Sequence, residues 1–199
     1  MSSSETVHRG IHAPMQALTE HELDKLLLIA KQEDLRDYAV IDLMFECFLR
    51  VSEVLELRVG DVLPDGRVIC RRKKGSKDNI LPVRNRDVWA LIMAACRKRG
   101  DRAALLFDNY SRRTLDWRIK RYCSIVGIPP EKAHAHAMKH TACQHTMDET
   151  DGNIMAVKAL AGHSDIGSTL RYADLTTEEA LTIRTEYELL KAKAKGTGK

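Results

Sequence analysis

Between Val59 and Val83 the chain stops reading as helix, and this interruption restricts the fold more than any other feature. Val59 to Leu63, Arg67 to Arg71 and Asn79 to Val83 each have the length and β-branched texture of a short strand. Pro64-Asp65-Gly66 supplies a tight turn between the first two. Lys73 to Lys77, with Gly75 in the middle, supplies the second connection. The spacing predicts a small three-stranded antiparallel sheet with a basic tip. A sheet this small must bury its inner face against helices.

Helical patterns flank it on both sides. Thr19 followed by Glu22 is a capping box that opens a helix running to about Gln32. A second helix is expected over 34–49, and a short third near Ser52 carries Val54, Leu55 and Leu57. After the sheet come helices near 86–99, 112–126, 134–149, 153–161 and 166–172, with Gly100 and Gly127 placed as C-terminal caps. Thr176 and Glu179 form another capping box, starting a last helix that reaches about Leu190. The fold class is therefore mainly α with a small three-stranded antiparallel sheet. Residues 1–17 read as a flexible N-terminal segment, 18–190 as one domain, and 191–199 as a disordered Lys/Gly tail.

A chain of 199 residues can bury a core without metal or disulfide staples. No apolar run approaches the roughly 20 residues of a membrane-spanning helix. The N-terminus lacks the layout of a secretory signal. Five cysteines at irregular spacing form no CxxC pair, which fits reduced thiols in a cytoplasmic protein. The net charge of +4 says less than its distribution. From Arg67 to Lys77 there are six basic residues and no acid, and from Arg112 to Arg121 five basic residues and one acid. The tail after Leu190 adds four lysines. One such run is ordinarily a solvated face; three point towards a polyanion such as nucleic acid.

Chemistry-bearing residues collect late in the chain. His134, His136, His140 and His145 lie close together, with Cys143 among them. On a helix, His136, His140 and Cys143 share a face, so a zinc site is conceivable. A zinc protease needs glutamate directly after the first histidine of such a pair, and that position is Ala137.

Four stretches support a different reading. Phe48-Leu49-Arg50-Val51-Ser52-Glu53-Val54-Leu55-Glu56-Leu57, with Asp61 following, resembles the first signature of the tyrosine recombinase (phage integrase) family. Lys74-Gly75-Ser76-Lys77-Asp78-Asn79-Ile80-Leu81-Pro82-Val83 is similar to that family's lysine-bearing β-turn. His136-Ala137-Met138-Lys139-His140-Thr141 resembles its His-x-Leu-Arg-His-Thr box. Leu160-Ala161-Gly162-His163-Ser164-Asp165, then Thr169-Leu170-Arg171-Tyr172-Ala173, resembles the box that holds the nucleophile. The four occur in the family's order.

The resemblance implies the family's catalytic-domain fold and a site-specific recombinase that cleaves and rejoins DNA through a covalent 3′-phosphotyrosyl intermediate, with no metal and no cofactor. A phenolic nucleophile suits that chemistry because the phosphotyrosine keeps the phosphoryl bond as an ester for religation. Fixed cations suit the transition state, whose charge spreads over non-bridging oxygens.

Carried over by resemblance, Tyr172 is the nucleophile and Arg50 the first phosphate-clamping arginine. Glu53 orients its neighbours. Lys77 is the general acid, with Lys74 as the substitute should the hairpin register differ. His136 and His163 donate hydrogen bonds to the scissile phosphate or help the tyrosine lose its proton. Lys139 stands where the family has its second arginine, and an ammonium cannot reproduce a two-pronged guanidinium. That departure implies cleavage slower by about 10–1000-fold if one charge-assisted contact is partly lost. Without the resemblance, Arg50 and Glu53 are a helix-surface pair, Lys77 a solvated turn lysine, Tyr172 a packing residue and His140 structural.

The partners implied are double-stranded DNA and further copies of the chain, as a homo-oligomeric tetramer on DNA. Leu181, Ile183, Leu189 and Leu190 could supply a docking surface for the neighbouring copy, or pack on their own domain. Most members of the resembled family place a helical DNA-binding domain ahead of the catalytic one, and here about 18 residues precede the first helix. The expectation is a catalytic-domain-only enzyme, a fragment, or a protein whose missing clamp domain comes from an accessory protein. Two competing functions remain: a catalytically weakened DNA-binding regulator of the same fold, and a zinc enzyme built on the His/Cys face.

Overall fold

The computed structural model describes residues 17–73 and 76–163. The predicted flexible lead-in, Lys74, the expected helices 166–172 and 177–190, Tyr172 and the Lys/Gly tail lie outside the described residues.

Seven helices and one hairpin make up the described part. In chain order they are α1 (Glu20–Glu33), α2 (Leu35–Glu46), α3 (Val51–Val54), β1 (Arg67–Cys70), β2 (Asn79–Pro82), α4 (Arg86–Arg99), α5 (Arg112–Ile125), α6 (Ala135–Glu149) and α7 (Ile154–Ala161). Their ends follow local chemistry. The Thr19 hydroxyl accepts from the Glu22 N–H at 3.2 Å while the Glu22 carboxylate accepts from the Thr19 N–H at 2.8 Å, closing the expected capping box. The side chains of Asn85, Ser111 and Asn153 accept from the first N–H groups of α4, α5 and α7, and His134 caps α6 through its Nδ1.

α2 is the centre of the molecule. Residues 37–44 are all buried, and the helix packs against α1, α4 and α6. A helix apolar on nearly every side has to be interior, and this one is. Its few polar groups are tied to neighbours. Asp37 accepts from Arg118 at 2.8 Å and from the Tyr122 hydroxyl, fastening α5 to the start of α2. Asp42 accepts from the Asn85 amide at 2.8 Å.

The sheet has two strands where the sequence predicted three. β1 and β2 pair antiparallel, with Val68 opposite Leu81 and Cys70 opposite Asn79. Val59–Asp61 is instead a 3₁₀ turn, joined to the hairpin by a single bridge between Val62 and Val68. The Asp61 carboxylate accepts from the Arg58 N–H at 3.0 Å, which closes the turn locally. The N–H groups of Val59 and Gly60 donate to the Ala104 and Arg102 carbonyls at 3.0 and 2.8 Å. With those donors spent on the 102–106 segment, no third ladder can form.

Between α2 and α3 the chain turns through Phe48, a non-glycine residue at φ 52°. The Leu49 N–H bonds back to the Met44 carbonyl at 3.1 Å, the closure usually given a glycine. Phe48 is buried. The turn delivers Arg50 to the start of α3.

Candidate active site

Three segments that are distant in sequence meet at the carboxyl end of α7: the α2–α3 turn with α3, the hairpin, and α6. The end of α7 explains why. Gly162 adopts φ 66°, and the His163 N–H bonds back to the Lys158 carbonyl at 3.0 Å. The last carbonyls of the helix still need donors. Asn79 donates to the Ala159 and Leu160 carbonyls at 3.1 and 2.9 Å. Arg72 donates to the Leu160 carbonyl at 3.1 Å, and the Lys139 ammonium to that of Ala161 at 2.9 Å. The Lys77 N–H donates to the Gly162 carbonyl at 3.0 Å. The hairpin and α6 thus cap α7.

Arg50 and Glu53 form the second knot. The Glu53 carboxylate accepts from the Arg50 N–H at 2.9 Å, from the Arg50 guanidinium at 2.7 Å and from the Lys73 N–H at 3.1 Å. Burial favours the neutral acid. These hydrogen bonds, with the nearby Lys139 charge, outweigh it and hold the Glu53 carboxyl below its ordinary range. The Arg50 side chain remains 20% exposed although its guanidinium is held by Glu53.

Lys139 is 2% exposed. Burial, then the charges of Arg72 and Arg50, bring its ammonium down to about 7, against the weaker pull of Glu53 and Cys143. His136, one turn before it on α6, is lowered by burial and by His134, Arg50, Lys139 and Arg112. Its ring meets that of His140 edge-on at 4.4 Å. Val51, Arg112, Arg113, Asp116, His134 and His136 line a cavity of about 470 Å³ beside this cluster.

The structure therefore brings Arg50, Glu53, His136 and Lys139 together and places Lys77 and His163 at the end of α7, where Lys139 also bonds. Lys77 arrives by its backbone, and His163 is buried. Tyr172 lies outside the described residues, as does Lys74. Among the described residues no three His, Cys, Asp or Glu side chains converge as a metal would require, so the zinc reading of His136, His140 and Cys143 gains no support. No described helix is long and apolar enough to cross a membrane.

Sequence reasoning missed Arg72. It fell in a basic run read as part of a surface for a polyanion, yet its side chain is wholly buried. The signal was strand alternation: Val68 and Cys70 face inward, and the next residue of that parity is 72.

The chain is similar to curated recombinases. Over 183 residues the chain is 27% identical to the tyrosine recombinase XerD of Proteus mirabilis, covering 85% of this chain and 58% of that one. It is 28% identical over 184 residues to the tyrosine recombinase XerA of Thermococcus kodakarensis, covering 88% and 64%. The chain thus spans about three fifths of the length of these relatives. Its fold matches that of the XerH site-specific recombinase bound to difH substrate, with a TM-score of 0.68 at 20% identity over 84% of this chain and 52% of that one. The profile of the phage integrase family matches residues 16–179, most of the sequence, and the chain belongs to that family.

Proposed function

We propose that this chain is the catalytic part of a site-specific recombinase that cleaves and rejoins double-stranded DNA through a 3′-phosphotyrosyl intermediate. The observation that carries the reading is the cluster of Arg50, Lys139 and His136 from two distant segments, its guanidinium anchored by Glu53 on a side chain that is still partly exposed. A recombinase relative bound to its DNA substrate shares the fold, which supports duplex DNA as the partner.

The roles are those the family resemblance implies, joined to the chemistry of strand cleavage. The Tyr172 oxygen attacks phosphorus, the bond to the 5′ oxygen breaks, and that oxygen takes a proton from Lys77. Arg50 binds two non-bridging oxygens with its planar fork. Lys139 adds charge when protonated. His163 donates a hydrogen bond to the phosphate. His136, kept neutral by burial and surrounding cations, takes the phenolic proton. The reverse reaction with a second strand's 5′ hydroxyl completes the exchange and returns each proton. Arg112 and Arg113, on the cavity beside His136, contact flanking phosphates. Four copies assemble on DNA, and an accessory protein or further domain supplies the other half of the clamp.

A nicked suicide DNA duplex, followed by a denaturing gel, tests the reading. The wild type is expected to give a covalent adduct and Tyr172→Phe none. A supercoil-relaxation assay separates recombinase from topoisomerase behaviour. The buried, easily neutralised Lys139 favours one second reading, a DNA-binding regulator with weakened cleavage. That protein would bind DNA equally with or without Tyr172 and form no adduct.

A further inference from the structure

Arg72 is a buried cation that the proposed chemistry does not use. Its Nε and Nη2 donate to the Asn79 amide oxygen at 3.1 and 2.9 Å. Nη1 donates to the Phe48 carbonyl at 2.7 Å and meets the Glu53 carboxylate at 3.4 Å. Nη2 also donates to the carbonyls of Cys47 at 2.9 Å and Leu160 at 3.1 Å. One planar group thus joins the turn before Arg50, the strand after Lys77 and the helix before His163.

We infer that Arg72 is a positioning residue of the strand-cleavage site, a bolt that sets Arg50, Lys77 and His163 relative to one another and holds a fixed positive charge beneath Lys139. The inference rests on the recombinase reading above. Two features make the guanidinium necessary. Only a rigid fork with five donors can serve carbonyls in separate segments at once. The Cys47 and Phe48 carbonyls belong to the positive-φ turn that presents Arg50, and they take their bonds from Arg72. The space is tight as well: a Cβ on Gly162 would lie 3.1 Å from the Arg72 Nε.

The charge matters separately from the bonds. Lys139 faces Arg50 and Glu53 from the α3 region, Arg72 and Cys70 from the hairpin, His136 and Cys143 on its own helix, and the Ala161 carbonyl of α7. After burial, Arg72 does most to favour its neutral form.

Single-turnover cleavage of the suicide duplex across pH tests this, with duplex binding and thermal melting measured alongside. Arg72→Lys keeps the charge but cannot span the segments. It is expected to cleave about 100-fold more slowly, with DNA affinity within about threefold of wild type. Arg72→Gln removes the charge, so the fall in rate with rising pH should move up by about half a unit or more. Simple damage to packing would lower the rate without moving that limb. Asn79→Ala keeps the guanidinium and serves where an Arg72 variant does not fold. It is expected to lose about tenfold with the limb in place.

Cleavage by Arg72→Lys or Asn79→Ala within about threefold of an active wild type overturns the inference, as does an unmoved limb in folded Arg72→Gln. A wild type that forms no adduct overturns the recombinase reading itself, a result distinct from an active wild type with active variants.

Discussion

The Glu53 carboxylate holds Arg50 twice, at 2.7 Å through the guanidinium and at 2.9 Å through the backbone N–H. One acid therefore fixes both the start of α3 and the direction of its side chain. Glu53 is also buried against Arg72 at 3.4 Å. Glu53→Gln removes the charge and leaves two guanidinium groups short of a partner. Expected losses are about 3 kcal/mol of stability by chemical denaturation and about 100-fold in adduct formation. Near-normal cleavage by a folded Glu53→Gln would count against Arg50 as the phosphate clamp.

Lys139 gives activity and stability opposite pH dependences. With its ammonium brought to about 7, it is charged below that pH and neutral above it. Cleavage that relies on the charge should fall as pH rises through about 7. An unfolded lysine stays protonated up to an ordinary value near 10.5, so the unfolded state binds the extra proton between the two values. Stability should therefore rise with pH across that window. Lys139→Arg keeps its charge throughout and offers the fork. It is expected to cleave faster than wild type at pH 8 and to lose the decline. A rate at pH 8 equal to or below wild type would show that the fork and fixed charge are not what the site lacks.

Gly162→Ala attacks the meeting point of hairpin and α7. The backbone there is left-handed, and a Cβ would lie 2.7 Å from the Lys77 carbonyl oxygen. That oxygen is backbone and cannot swing aside. A destabilisation of about 1–3 kcal/mol is expected, together with faster hydrogen exchange at the Lys77 amide. Melting and exchange mass spectrometry check it, and unchanged protection would mean the hairpin is held elsewhere.

Asp42 is buried on α2. Burial, against the Asn85 hydrogen bond and with the Glu46 charge, raises its carboxyl to about 7. The folded state keeps the proton while the unfolded chain has released it, so stability should fall as pH climbs from about 4 to 7. Asp42→Asn should flatten that part of the stability curve, as measured by denaturant titration at several pH values. A slope identical to wild type would contradict it.

The helices among the described residues were legible because their signals are local. The Thr19–Glu22 box, the periodic apolar positions of α2 and the glycine after Arg99 each act within a few residues, and each lies where sequence places it. That Val59–Leu63 is not a third strand was not legible, because Val59 and Gly60 pair with carbonyls more than forty residues away in sequence. Four candidate residues, Arg50, Glu53, His136 and Lys139, were named from motifs and lie near one another. Their packing was invisible: nothing in a string of basic residues says that Arg72 is interior and Lys73 exposed enough to pair with Glu56. Parity with Val68 and Cys70 carried that information, masked by the charge of the side chain.

The carboxyl end of α7 is closed by an amide, a guanidinium, an ammonium and a peptide N–H, drawn from the hairpin and from α6. Replacements at Arg72, Asn79 and Lys139 should therefore show epistasis. Once one donor is gone, the helix end has already loosened, and losing another will cost less than it does alone. The ammonium of Lys139 is thus one of several donors that share a single helix end, and its replacement is felt through the others.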